Sequence, residues 1–155
     1  MKNFKYFFIF LFLLSCGYSP VYQIKKDKNI KINTINFSGD KNMGREIIRG
    51  LENLQKNDAK NIFDLNLNSF KQENVVTKDK KGNATSYKLV LTVEAYLTDK
   101  INNKKYEKKF TKQMSYNSKK NQFELDQYKI NLEKNMISQI LQDINTFLSN
   151  IENDL

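Results

Sequence analysis

The chain has 155 residues, 39% of them hydrophobic and 28% charged, with a formal net charge of +9 at pH 7. It holds no histidine and one cysteine, Cys16, so Ser-His and Cys-His nucleophile systems and His/Cys zinc sites are excluded once that thiol is modified. No P-loop, dinucleotide-binding glycine motif, nucleophile elbow or EF-hand loop occurs, and no enzyme, cofactor or metal is expected.

The N-terminal stretch explains the single thiol. Lys2 and Lys5 precede nine unbroken apolar residues, Tyr6 to Leu14, followed by small Ser15. That is the charged, apolar, small order of a secretory signal. Nine helical residues rise only about 14 Å, too short for a hydrocarbon core of about 30 Å. Leu13-Leu14-Ser15-Cys16 resembles the bacterial lipobox, in which the cysteine sulfur takes a diacylglycerol and becomes the mature N-terminus. The alternative is a plain signal peptide or N-terminal anchor with an incidental cysteine. Each buried methylene contributes about 0.8 kcal/mol, so several acyl chains would hold the protein on a membrane. Gly17, where Asp would retain a lipoprotein in the inner membrane, permits the outer one. The expected organisation is a signal at 1–15, a lipidated tether at 16–29 and a single domain at 30–155.

Positive charge attracts lipid phosphates or nucleic acid, and export argues against nucleic acid. Almost all of that charge is lysine; only Arg45 and Arg49 are arginines. With the abundant Asn and Ile, this is the composition of an A+T-rich coding sequence.

In chain order, "NIKINTINFSG" reads as the first strand. Ile30 and Ile32 fall on one face and Ile35 and Phe37 on the other, which requires a bulge or a strand covered on both sides. "MGREIIRGLENL" places Met43, Ile47, Leu51 and Leu54 at helical spacing. Gly44 and Gly50 each weaken that helix by about 1 kcal/mol against alanine, so packing must support it. "NIFDLNLNSF" alternates as a half-buried strand, and "TKDKKGNAT" reads as an exposed hairpin tip.

"YKLVLTVEAYL" is the cleanest strand, with Tyr87, Leu89, Leu91, Val93, Ala95 and Leu97 on one face. After the turn "TDKINN", "KKYEKKFTKQMSY" puts Tyr106, Phe110, Met114 and Tyr116 on one side of a charged strand, predicted to be an edge. The last element opens at Asn121, with Glu124 placed for a capping box. It is a helix of about seven turns with Leu125, Tyr128, Leu132, Met136, Ile140, Ile144 and Phe147 on its apolar face, a stripe widened by Ile137, Leu141, Leu148 and Ile151. Glu124 and Asp126, two apart, point in different directions and make a poor acid/base couple. The predicted fold is α+β: a four-stranded, mostly antiparallel sheet with two helices packed on one face, in the order β-α-β-β-β-α.

Four stretches together resemble the LptE family of lipopolysaccharide-assembly lipoproteins. They are "LLSCGYSPVY", "INTINFSGDKNMGREIIRGLENL", "YKLVLTVEAYL" and "NLEKNMISQILQDINTFLS". The resemblance implies a non-enzymatic plug and assembly partner of the outer-membrane barrel LptD that binds lipopolysaccharide on its way to the outer leaflet. It implies a lipid-anchored protein on the periplasmic face of the outer membrane. No family residue for the lipid contact transfers position by position. Lys78, Lys80 and Lys81 in the hairpin, with Lys119 and Lys120 before the last helix, are the candidates for contacting lipid phosphates. Lysine suits such contacts as a mobile point charge. A solvated charge run is the plainer reading of any single one of them. The rival reading is an auxiliary lipoprotein of a lipid-trafficking ABC transporter, or another periplasmic interaction lipoprotein.

Overall fold

In the computed structural model, residues 29–56 and 58–155 are described; the signal, Cys16 and most of the tether lie outside the described residues. Strand β1 (Ile30–Ser38) leads into helix α1 (Lys41–Gln55), followed by β2 (Asn61–Lys78), β3 (Ala84–Asp99), β4 (Lys105–Asn117) and helix α2 (Gln122–Asn153). The strands lie side by side in sequence order, with β1 parallel to β2 and the other pairs antiparallel. This is the predicted order and fold class.

The first strand contains the expected bulge. Its register against β2 slips between Ile32 and Thr34, so that Ile35 aligns with Leu65 and Phe37 with Leu67. One extra residue re-aims the strand: Ile30 and Ile32 are buried in the core, and Ile35 and Phe37 pack half-buried against it. Beyond it, Gly39 has φ +101°, and a Cβ there would lie 2.0 Å from the Ser69 carbonyl oxygen. Only glycine fits so close an approach with that backbone. Asp40 then caps α1, its carboxylate accepting from the backbone N–H of Asn42 at 3.0 Å and of Met43 at 2.9 Å.

Met43, Ile47, Leu51 and Leu54 of α1 are buried, as the spacing predicts. Together with α2 they cover the face of the sheet that carries Phe63, Leu65, Leu67, Leu89, Leu91, Val93 and Leu97. Asn121 caps α2 by accepting from Phe123 and Glu124 N–H groups. The helix runs 32 residues, about nine turns against the seven expected, and its apolar stripe includes Leu148 and Ile151 as the sequence predicts.

Three sequence readings need correction. Tyr128 and Met114, assigned to inward stripes, are 41% and 37% exposed. Both sit near one end of the sheet, where only α2 covers it. The second strand does not stop near Phe70 but continues to Lys78. In that extension the positions facing α2 are Lys71 and Glu73, aligned with Leu91 and Leu89 of β3. Polar residues at inward positions erase the alternation that marks a strand.

Candidate functional site

The structure brings the five candidate lysines to one end of the sheet. Lys78 closes β2, and Lys80 and Lys81 form the turn into β3. Within that turn Asp79 accepts from the N–H groups of Lys81 and Asn83, and Gly82 takes φ +87°. The side-chain amide of Asn83, with its backbone N–H, holds the Asp79 carboxyl below the usual carboxylate range. Asp79 thus serves the turn. Lys119 and Lys120 follow β4, whose last residue Asn117 aligns with Ser86 just past the turn. The Ser118 N–H donates to the Thr85 carbonyl at 2.8 Å, fixing this second loop beside the first. The Lys119 ammonium lies 5.1 Å from the ring centre of Tyr128, a cation-π contact. Among the described residues, none of the five lysines has a carboxylate within ion-pair distance.

Behind this basic end, between sheet and α2, sits a polar cluster that periodicity does not reveal. Tyr116 donates its hydroxyl to Glu73, and Lys129 of α2 reaches the same carboxylate at 3.1 Å. Tyr87 and Tyr116 stack with ring centres 5.2 Å apart, and the Lys129 ammonium lies 5.6 and 5.5 Å from the two. One turn further along α2, Glu133 pairs with Lys71. Burial works against ionisation of Glu73, but the Tyr116 hydroxyl and Lys129 outweigh it and hold its carboxyl below the ordinary value. Burial, then the bond to Glu73, pushes the Tyr116 phenol up to about 12. Burial alone would lower Lys129, and its bonds to Tyr116 and Glu73 raise it. The signal that locates this cluster is the count by twos from Leu67, which lands on Ser69, Lys71 and Glu73 on the inner face.

The arrangement sets lysine charge in two exposed loops, the chemistry that attracts anions. Glu124 and Asp126 do not converge; Asp126 accepts from the Gln122 amide one turn back. Among the described residues no group of His, Cys, Asp or Glu could hold a metal ion, and no helix is long and apolar enough to cross a membrane.

The chain is similar in fold to several solved lipoproteins. One is the rare lipoprotein B from Shewanella oneidensis, at a TM-score of 0.55 and 19% identity, covering 77% of this chain and 99% of that one. A minor lipoprotein from Acinetobacter baumannii superposes at 0.58 with 15% identity, over 77% of this chain and 90% of its own. Lipoprotein B from Nitrosomonas europaea superposes at 0.52 with 16% identity, over 77% and 84%. No curated protein matches by sequence. The model of the family described as "LptE: Lipopolysaccharide-assembly" matches residues 28–148, from just before β1 to near the end of α2. The match runs through every strand and both helices, and the chain therefore belongs to the LptE family of lipopolysaccharide-assembly lipoproteins.

Proposed function

We propose that this protein is the lipid-anchored plug and assembly partner of an LptD-type outer-membrane barrel. In this reading it is held at the periplasmic face by acyl chains on Cys16 and aids insertion of lipopolysaccharide into the outer leaflet. Its basic end meets the phosphates of lipopolysaccharide through Lys78, Lys80, Lys81, Lys119 and Lys120. The observation that carries this reading is the gathering of these five lysines from two loops, with no carboxylate partner among the described residues, at one end of an LptE fold. Exposed lysine ammonium groups on flexible stems can follow a phosphate as the lipid moves, a contact suited to passage more than to capture.

Co-purification from detergent-solubilised outer membranes of the native host tests the assignment. The protein is expected to come off in a one-to-one complex with an LptD-type barrel that survives high salt, because a plug is held by shape and burial more than by screened charge pairs. Depletion is expected to keep newly made lipopolysaccharide from the cell surface. Recovery without a barrel, or normal surface display after depletion, would remove the assignment.

A further inference from the structure

Away from the lysine end, a groove of about 450 Å³ opens between the N-terminal half of α1 and the middle of α2. That volume lies within the range of small-ligand sites. Its apolar part is Ile130 and Ile137, seven residues apart on one stripe of α2; Ile130 is 46% exposed. Ile130 offers its exposed half to the recess, while Ile137, 5% exposed, belongs to the core beneath it.

The charged part is unusual for this chain. Of 26 basic residues only two are arginine, and both, Arg45 and Arg49, line this groove from successive turns of α1. Lys134 lines it from α2. Two acids are also present: Glu133 is engaged by Lys71, and Glu46 meets Arg49 at 3.4 Å in an exposed pair of little strength that leaves the guanidinium open to a phosphate. Arg45 bonds only the neutral side chain of Asn42, and Lys134 has no carboxylate partner among the described residues. The balance left over is cationic, beside an apolar strip. Arginine's planar fork matches phosphate oxygens in pairs, which lysine cannot do.

We infer that this groove is a second lipid site, one that takes a phosphate-headed amphiphile with its phosphate on Arg45, Arg49 and Lys134 and its hydrocarbon along Ile130 and Ile137. It is separate from the lysine end and does not depend on the barrel assignment. A free phosphate would use only the arginines, and an uncharged amphiphile only the isoleucines. The juxtaposition of both selects a molecule that has both.

The test uses the full chain in an uncharged maltoside detergent, titrated with dodecyl phosphate and followed by backbone amide NMR. Saturable shifts are expected at residues of the groove, Arg45 and Ile130 among them. Inorganic phosphate, or more maltoside, should produce none of comparable size. Arg45→Gln with Arg49→Gln should weaken dodecyl phosphate binding by about tenfold or more, as expected for losing charge-assisted contacts. Both side chains lie on the surface, so the fold should survive, and the amide spectrum itself reports whether it does. Lys78, Lys80 and Lys81 changed together to Ala should leave the groove shifts in place, which separates this site from the basic end. Equal shifts with inorganic phosphate or with maltoside, or undiminished binding by the double variant, would overturn the proposal.

Discussion

Gly50 of α1 lies directly against Leu141 of α2: a Cβ built on the glycine would come within 2.2 Å of the Leu141 Cδ2 atom and 3.1 Å of its Cγ. The glycine that weakens the helix locally is what lets the helices close on one another. Gly50→Ala would gain about 1 kcal/mol of helix propensity. It would also push Leu141 out of a packed position, typically costing 1–3 kcal/mol. The expected net effect is a loss of about 1 kcal/mol in urea unfolding. Adding Leu141→Ala should make Gly50→Ala stabilising in that background, a coupling that a double-mutant cycle measures directly. An alanine that stabilises the otherwise unchanged protein would show that the helices do not meet here.

Ile140 has no exposed surface and packs in the middle of the shared core. Ile140→Asp places an unpaired charge there and should cost several kcal/mol, enough to unfold a domain of ordinary stability. Loss of the cooperative thermal transition is expected. An unchanged melting temperature would mean that this stripe of α2 is not core.

The Tyr116–Glu73 pair makes stability depend on pH at both extremes. Glu73 has a depressed pKa, so its contribution is present above the ordinary value of 4.5 and disappears as pH falls through the lower folded value. Tyr116 has a raised pKa, so its contribution is complete below 10.0 and disappears as pH rises through about 12. Spectrophotometric titration should show a late tyrosine step near pH 12. Tyr116→Phe should abolish that late step and cost about 1 kcal/mol at neutral pH. A titration curve identical in the variant would place the late phenol elsewhere.

Tyr106 offers the opposite case. Its hydroxyl is buried with no hydrogen-bond partner among the described residues, while the ring packs edge-on against Phe63. Tyr106→Phe removes the stranded oxygen and keeps the ring, so stability should stay level or rise by up to about 1 kcal/mol. Thermal unfolding checks this. A clear loss would show that the oxygen has a partner, such as an ordered water.

For the lysine end the prediction concerns salt. Lipopolysaccharide binding by the protein should weaken as ionic strength rises, since exposed contacts are screened within about 8–10 Å. It should weaken again when Lys78, Lys80 and Lys81 become Ala together. Salt-insensitive binding, untouched by the triple change, would move the lipid contact away from these lysines.

Most of the fold was legible because its elements obey simple periods. β3 alternates without a break from Tyr87 to Leu97, and α2 keeps its stripe for nearly its whole length. The β1 bulge was legible too, since two apolar pairs out of phase leave few options. The extension of β2 was not, because Lys71 and Glu73 point inward to partners on α2 that lie 62 and 56 residues away in the chain. An ion pair formed across such a distance leaves no local pattern. The lysines of the basic end could be named from their exposed loops, but their convergence depends on the register of β4 against β3. The arginine groove was missed for the same reason: Arg45 and Arg49 look like a solvated helix face until α2 is laid beside them.

The long hairpin also settles how force would travel through the molecule. Ile30 aligns with Asn61 at the start of β2, and the Asn29 N–H reaches Glu152 near the end of α2, so the chain enters the body at the end opposite the lysines. From Asn61 to Lys78 the strand extends roughly 55 Å. A load applied at the N-terminal end and resisted at the hairpin turn would run lengthwise along β2 and β3. Their hydrogen bonds would then be strained together in shear, not opened one after another like a zipper. The body then resists a lengthwise pull as one unit, with the chain entry at one end and the basic turn at the other.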